Sequence, residues 1–156
     1  KSLLRHKESV SSLEELADGS FQVVLDETDD FDPDSIKRLI ICSGKVYYDL
    51  RAERRTREIN DIAIIRMEQL YPFPHDDFLN CLLQYKNLES IVWCQEEPMN
   101  QGAWYSSQHH LRKAINEHFP TIYLEYVGRD ASASVAAGYP ALHLSQLKKF
   151  IDEALS

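Results

Sequence analysis

The stretch RLIICSGKVYYDLRAERRTREINDIAIIRME, residues 38–68, decides the architecture of the chain. It begins with an apolar run, RLIICSG (38–44), and ends with another, DIAIIRME (61–68). Both are nearly continuous in hydrophobicity and rich in Ile, the pattern of a strand covered on both faces. Between them, KVYYDLRAERRTRE (45–58) has helical spacing, with Val46, Tyr47 and Leu50 on one side and arginines opposite. Strand, helix and strand joined by short links predict two parallel neighbours in one sheet.

The same alternation continues outward. SIVWCQEE (90–97) and TIYLEYVGR (121–129) read as two further buried strands. PHDDFLNCLLQY (74–85) has Pro74 near its first turn and acids just behind, which suits a helix N-terminus. NQGAWYSSQHHLRKAINEHF (100–119) and HLSQLKKFIDEAL (143–155) complete the helices, with His118 placed to meet a C-terminal dipole. SFQVVLDE (20–27) is a fifth strand. The link TDDFDPDS (28–35) is too short to hold a crossover helix, so this strand is expected antiparallel and at an edge. The expectation is an α/β domain of three layers, α/β/α, around a five-stranded, mostly parallel sheet with right-handed crossovers.

Composition narrows the function classes. The chain has 156 residues, 44% hydrophobic and 27% charged, enough for one domain with a sizeable core. No apolar run approaches the roughly 20 residues of a bilayer span, and the Lys1–Ser2 start leads into no signal-peptide pattern. A first residue other than Met is expected of a piece of a longer chain. The net charge of −8 argues against nucleic acid as a partner. Residues 14–34 hold nine acids and no Lys or Arg, whereas KSLLRHK (1–7) and RAERRTR (51–57) are basic. These runs read as two solvated faces. Cys42 and Cys94 lie in apolar runs and, with Cys81, read as reduced thiols without metal-ligand spacing.

In an open α/β sheet, ligands bind at the carboxyl ends of the strands. Three loops are expected to meet there: SGK (43–45), QEEPMNQG (95–102) and GRDASASVAAGY (128–139). Gly44 allows a tight βα turn, but the upstream glycine of a phosphate-binding loop is missing. Glu96 and Glu97 are adjacent, so in a strand they point to opposite faces and do not converge as a catalytic pair. His109 and His110 are ~100° apart on a helix and lack a third ligand, so no zinc site is expected. The small residues of 128–139 permit close backbone approach, to a ligand or to another chain. Arg5, Lys7, Arg66 and Arg129 are separate positive points that could serve an anion if the fold unites them. There is neither a G-x-S-x-G elbow nor a G-x-G-x-x-G turn.

The motifs CSGKVYYDL, RMEQLYPFP, WCQEEPMNQGAWY, QHHLR and GRDASAS followed by GY and His143 occur in this order. Together they closely resemble the C-terminal part of the E1 component of 2-oxoglutarate dehydrogenase, a thiamin-diphosphate enzyme of the transketolase superfamily. KSLLRH resembles the segment leaving the preceding domain, so 1–19 is expected to be a lead-in and 20–156 a single transketolase C-terminal-like domain. Regions 14–36 and 51–60 contribute nothing to the likeness.

The resemblance implies a homodimeric parent enzyme working with lipoyl-bearing E2 and flavin-bearing E3 components, beside the preceding catalytic domains of its own chain. The whole enzyme would decarboxylate 2-oxoglutarate and succinylate a lipoyl group, with thiamin diphosphate and Mg2+ as cofactors. It would be cytoplasmic in a bacterium and in the mitochondrial matrix of a eukaryote. The chain has neither GDG nor NN, so no catalytic, cofactor or metal residue is assigned and the piece alone is expected to be inactive. Glu96, Glu97, Asn100, Gln101, Gly102 and Trp104 are expected to form a structural corner that props the catalytic domains and closes the dimer, Trp104 packing on a neighbour. Family members can sense nucleotides or acyl-CoA, for which Arg5, Lys7, Ser43, Lys45, Arg66 and Arg129 are the candidate anion contacts. Two alternatives remain: a free-standing α/β protein binding a small anion, and the same domain of a 2-oxoadipate dehydrogenase.

Overall fold

A computed structural model describes residues 3–156; Lys1 and Ser2, the start of the lead-in, lie outside the described residues. Five strands, β1 (Val24–Leu25), β2 (Arg38–Cys42), β3 (Ile62–Met67), β4 (Ser90–Pro98) and β5 (Leu124–Arg129), form one sheet in the order β1-β3-β2-β4-β5. β2, β3, β4 and β5 are parallel, and β1 runs antiparallel on β3 at the edge, as expected from its short link.

The side-chain period of two distributes each strand between two cores. Leu39, Ile41, Ile65, Ile91 and Trp93 face helices α3 (His75–Leu82) and α4 (Trp104–His118). Ile40, Cys42, Ile64, Val92 and Cys94 face α2 (Val46–Thr56) and α5 (Pro140–Ala154). This is the three-layer α/β/α arrangement. Burial on both faces explains why these strands read as continuous apolar runs. His118 lies in the last turn of α4.

Several elements differ from the expectation. Helix α4 begins at Trp104 and α5 at Pro140. β1 keeps only two residues of 20–27, because Asp26 and Glu27 turn away to side-chain partners. β5 begins three residues late, leaving Tyr123 exposed. The lead-in also contains a helix, α1 (Leu13–Asp18), held by a capping box in which Ser12 and Glu15 exchange hydrogen bonds.

The reading of the acidic and basic runs as two solvated faces is corrected. Arg54 is 0% exposed. Its Nη2 donates to Glu27 at 2.8 Å and to Asp29 at 2.7 Å, and its Nη1 donates to the Ile62 carbonyl at 2.8 Å and to Glu27. Glu27 also accepts from the Ile64 amide at 2.8 Å, and Arg55 holds Asp29 from outside. The acidic link is thus clamped onto α2. Residue 54 falls four after Leu50, on the inward stripe, so helical periodicity prevails over the preference of arginine for water.

Candidate functional site

The sheet has its switch point between β2 and β4. The turn after β2 leads to α2 on one face, and the turn after β4 leads to α4 on the other. Between them lies a crevice of about 200 Å³, lined by Ser43, Leu70, Trp93, Gln95, Glu97 and Gly102, among others. A second crevice, about 360 Å³, opens beside it between Pro98, the 129–138 loop and the first turns of α5. The three loops expected at this edge are all present.

Gln95 organises the edge. It is 2% exposed on the Trp93 side of β4. Its Oε1 accepts from the Trp93 indole and from the Trp104 backbone amide, both at 3.0 Å. Its Nε2 donates to the carbonyls of Gln101 (2.8 Å), Pro98 (3.1 Å) and Glu97 (3.2 Å). Helix α4 lacks a cap from its own N-terminal residue, and this amide takes that role from the neighbouring strand. Gly102 completes the turn with φ +64°, where an added Cβ would stand 3.0 Å from Gln95 Nε2. Only glycine adopts that conformation at low cost in so tight a space.

The corner residues hold the next loop. Asn100 donates to and accepts from the backbone of Ser132 at 3.0 and 2.9 Å, and Gln101 donates to the same carbonyl at 3.2 Å. The Tyr126 hydroxyl donates to the Arg129 carbonyl at 3.0 Å, and burial pushes its pKa up to about 12. Trp104, expected to pack on a neighbouring domain, is 5% exposed and belongs to the core of this domain, 5.2 Å from the Tyr126 ring. Its apolar area is already buried by α4 and β5, which withdraws it from outward contact. Glu97 is exposed, while Glu96 faces the opposite side of the sheet, 3.7 Å from Lys45 Nζ and 3.9 Å from His143 Nε2.

The six candidate anion contacts, five cations and Ser43, do not form one cluster. Lys45 is paired with Asp49 and Glu96. Arg66 is engaged by Glu68 at 2.5 Å and by the Tyr48 hydroxyl at 3.0 Å, and its guanidinium lies 4.5 Å from the Tyr47 ring centre. Arg5 and Lys7 are exposed and flank His6, whose ring sits 4.7 Å from Tyr48. Ser43 lines the smaller crevice and Arg129 the larger one. Lys45, Glu96, His143 and Arg129 do form a continuous line along the edge, since Arg129 Nη2 lies 2.6 Å from His143 Nδ1.

Reactive groups are scarce at this edge. Burial raises the Cys42 thiol well above its ordinary range and pushes Cys94 up to about 12, so both behave as small apolar residues. Away from the crevices, His110 stacks on Phe73 at 4.8 Å and contacts His75 and His109; desolvation and those neighbours lower its pKa. Among the described residues no three His, Cys, Asp or Glu side chains converge to hold a metal.

The sequence matches the family described as 2-oxoglutarate dehydrogenase C-terminal over residues 10–155. The chain belongs to this family. It is 53% identical over its full length to the 2-oxoglutarate dehydrogenase E1 component of Azotobacter vinelandii and 54% identical to that of Haemophilus influenzae. To the E1 component of Rickettsia prowazekii it is 45% identical over 99% of the chain. The chain spans only 16% of the length of each of these relatives and matches the C-terminal part of the E1 component. Family membership gives the edge its context, the C-terminal part of a much longer enzyme.

Gln95, His143 and the Arg54 cluster are absent from the sequence-derived site. A polar residue inside a continuous apolar strand was the available signal for Gln95. For Arg54 it was the helical stripe.

Proposed function

We propose that this chain is the C-terminal domain of an E1 enzyme that decarboxylates 2-oxoglutarate and transfers the succinyl group to a lipoyl-bearing E2, with E3 completing the complex. The full-length match to E1 components supports the reading. Thiamin diphosphate and Mg2+ would be held by the rest of the polypeptide, because this chain has neither the GDG nor the NN of the cofactor motif. When bound there, thiamin supplies the electron sink for decarboxylation. This domain supplies a rigid support. Asn100 and Gln101 fix the 128–139 loop, Gln95 holds the Gln101 carbonyl, and the loop's Val135 and Tyr139 stand exposed for a second subunit.

The lead-in makes the same point for the preceding domains. Helix α1 has no buried residue, and its Leu13 and Leu16 are 81% and 71% exposed. A capped helix with no buried residue and an exposed apolar face is suited to bury that face elsewhere in the longer chain. The test is made on the full-length polypeptide, comparing 2-oxoglutarate with 2-oxoadipate in CO2 release and measuring the dimer by analytical ultracentrifugation. The proposal expects faster turnover of 2-oxoglutarate, and weaker dimerisation in Val135→Ser/Tyr139→Ser. It expects easier proteolysis at the lead-in of Leu13→Ser/Leu16→Ser. Inactivity on 2-oxoglutarate refutes the catalytic reading, and unchanged assembly and proteolysis refute the supporting role.

A further inference from the structure

Two arginines of this chain are buried, and they are treated in opposite ways. Arg54 is enclosed by the carboxylates of Glu27 and Asp29. Arg129 is 9% exposed and has no carboxylate within salt-bridge distance among the described residues. Its Nη2 is committed to His143, and its Nε is buried without a partner. Its Nη1 makes no hydrogen bond among the described residues, and Arg129 lines the 360 Å³ crevice. A guanidinium withdrawn from water without a counter-charge is costly, and folded proteins pair such groups.

The remaining walls suit a negative guest. Helix α5 starts at Pro140, and its preceding residue Tyr139 provides no side-chain cap. Leu142 and Gly138, at that helix start, line the crevice, so the positive end of a 15-residue helix points at the same space as Arg129. Ser132 and Ser134 stand on the opposite wall and Gln146 one turn along α5. Asp130 also lines the opening and sets a limit on how much negative charge is accepted.

We infer that the crevice between the 129–138 loop and the start of α5 is an oxyanion site, in which a carboxylate or phosphate group from outside this chain neutralises Arg129. The inference goes beyond the supporting role proposed above and stands on the unpaired guanidinium. It also replaces the six-residue candidate set: of those cations, Arg129 is the buried one without a carboxylate. The guest is either a small free anion or a carboxylate side chain presented by the remainder of the enzyme or its second subunit.

The experiment uses the full-length dimeric enzyme. Calorimetry is run with inorganic phosphate and, separately, with succinate, and subunit dissociation is measured by analytical ultracentrifugation. Arg129→Met removes the charge. Leu142→Glu leaves Arg129 in place and supplies a carboxylate from the crevice wall, with Leu142→Gln as its uncharged control. A free-anion site gives saturable heat that weakens about tenfold or more in R129M and L142E and survives in L142Q. A protein carboxylate gives no heat, but R129M and L142E dissociate at about tenfold higher concentration while L142Q does not. If R129M fails to fold, the contrast between L142E and L142Q decides alone. Heat that survives both charged variants overturns the inference. So does an enzyme that shows no heat and assembles identically in all variants.

Discussion

Replacing Arg54 by Met is the sharpest test of how the edge strand is attached. The substitution keeps most of the apolar stem and removes the guanidinium that binds Glu27, Asp29 and the Ile62 carbonyl. Glu27 is left with its side chain 8% exposed and with only neutral donors, the backbone amides of Thr28, Asp29 and Ile64. Breaking a buried pair from one side costs about 3–5 kcal/mol, because the surviving charge stays buried without a counter-charge. With a urea dependence of about 2 kcal/mol per molar for a chain of this size, the midpoint falls by about 2 M. The assay is urea unfolding of the 156-residue chain followed by circular dichroism, and two-state behaviour is checked by tryptophan fluorescence. The second variant, Glu27→Gln/Arg54→Met, removes both charges and is expected to regain part of the loss, because the stranded carboxylate causes it. An R54M midpoint within about 0.3 M of wild type refutes the reasoning, since it puts the pair on the surface scale of under about 1 kcal/mol.

Other measurements probe the same structure. The Arg55 hydrogen bond, helped by Arg54 and opposed by burial, lowers the Asp29 pKa from 3.8 to about 2. A carboxylate more acidic in the folded state stabilises above its unfolded pKa, so about 2 kcal/mol present above pH 4 is lost as pH falls through about 2; stability measured against pH should flatten there in Asp29→Asn. Gln95→Ala removes five hydrogen bonds around both tryptophans, so it should cost about 2–4 kcal/mol and shift tryptophan emission, whereas unchanged emission denies Gln95 its organising role. Gly102→Ala meets both a positive φ and the Gln95 amide, for a loss of about 1–3 kcal/mol in the same unfolding assay. At pH 8 the native thiols should react slowly with a disulfide reagent, because burial raises Cys42 and Cys94 and pushes Cys81 up to about 11; a thiol reacting at the rate of a free peptide contradicts this.

Much of this protein is written locally. Continuous runs such as RLIIC and IAIIR specify strands buried on both faces, and the helical stretches between them force parallel pairing by their length. The eight-residue link 28–35 is too short for a crossover, which is why the antiparallel edge strand could be foreseen. The linked motifs carried family membership, because several loops in fixed order are far more specific than any one of them. The three crevice loops followed from the rule that ligands sit at the carboxyl ends of strands.

The tertiary structure alone decided which charges and aromatics face inward. Glu27 and Asp29 read as solvated until Arg54, 25 or more residues away, is seen to enclose them. Trp104 looked like an outward contact because its loop is rich in turn residues, yet α4 turns it into the core. Gln95 gains its importance only when the Trp104 amide and the Gln101 carbonyl fold back onto its amide. Lys45 and Arg129 read as similar basic residues, but the first is paired with carboxylates of this chain and the second is buried beside an open crevice. The physical reason is common to all of these. Backbone periodicity acts over a few residues, so sequence reveals it. The worth of a buried polar group depends on partners that long-range folding brings into reach.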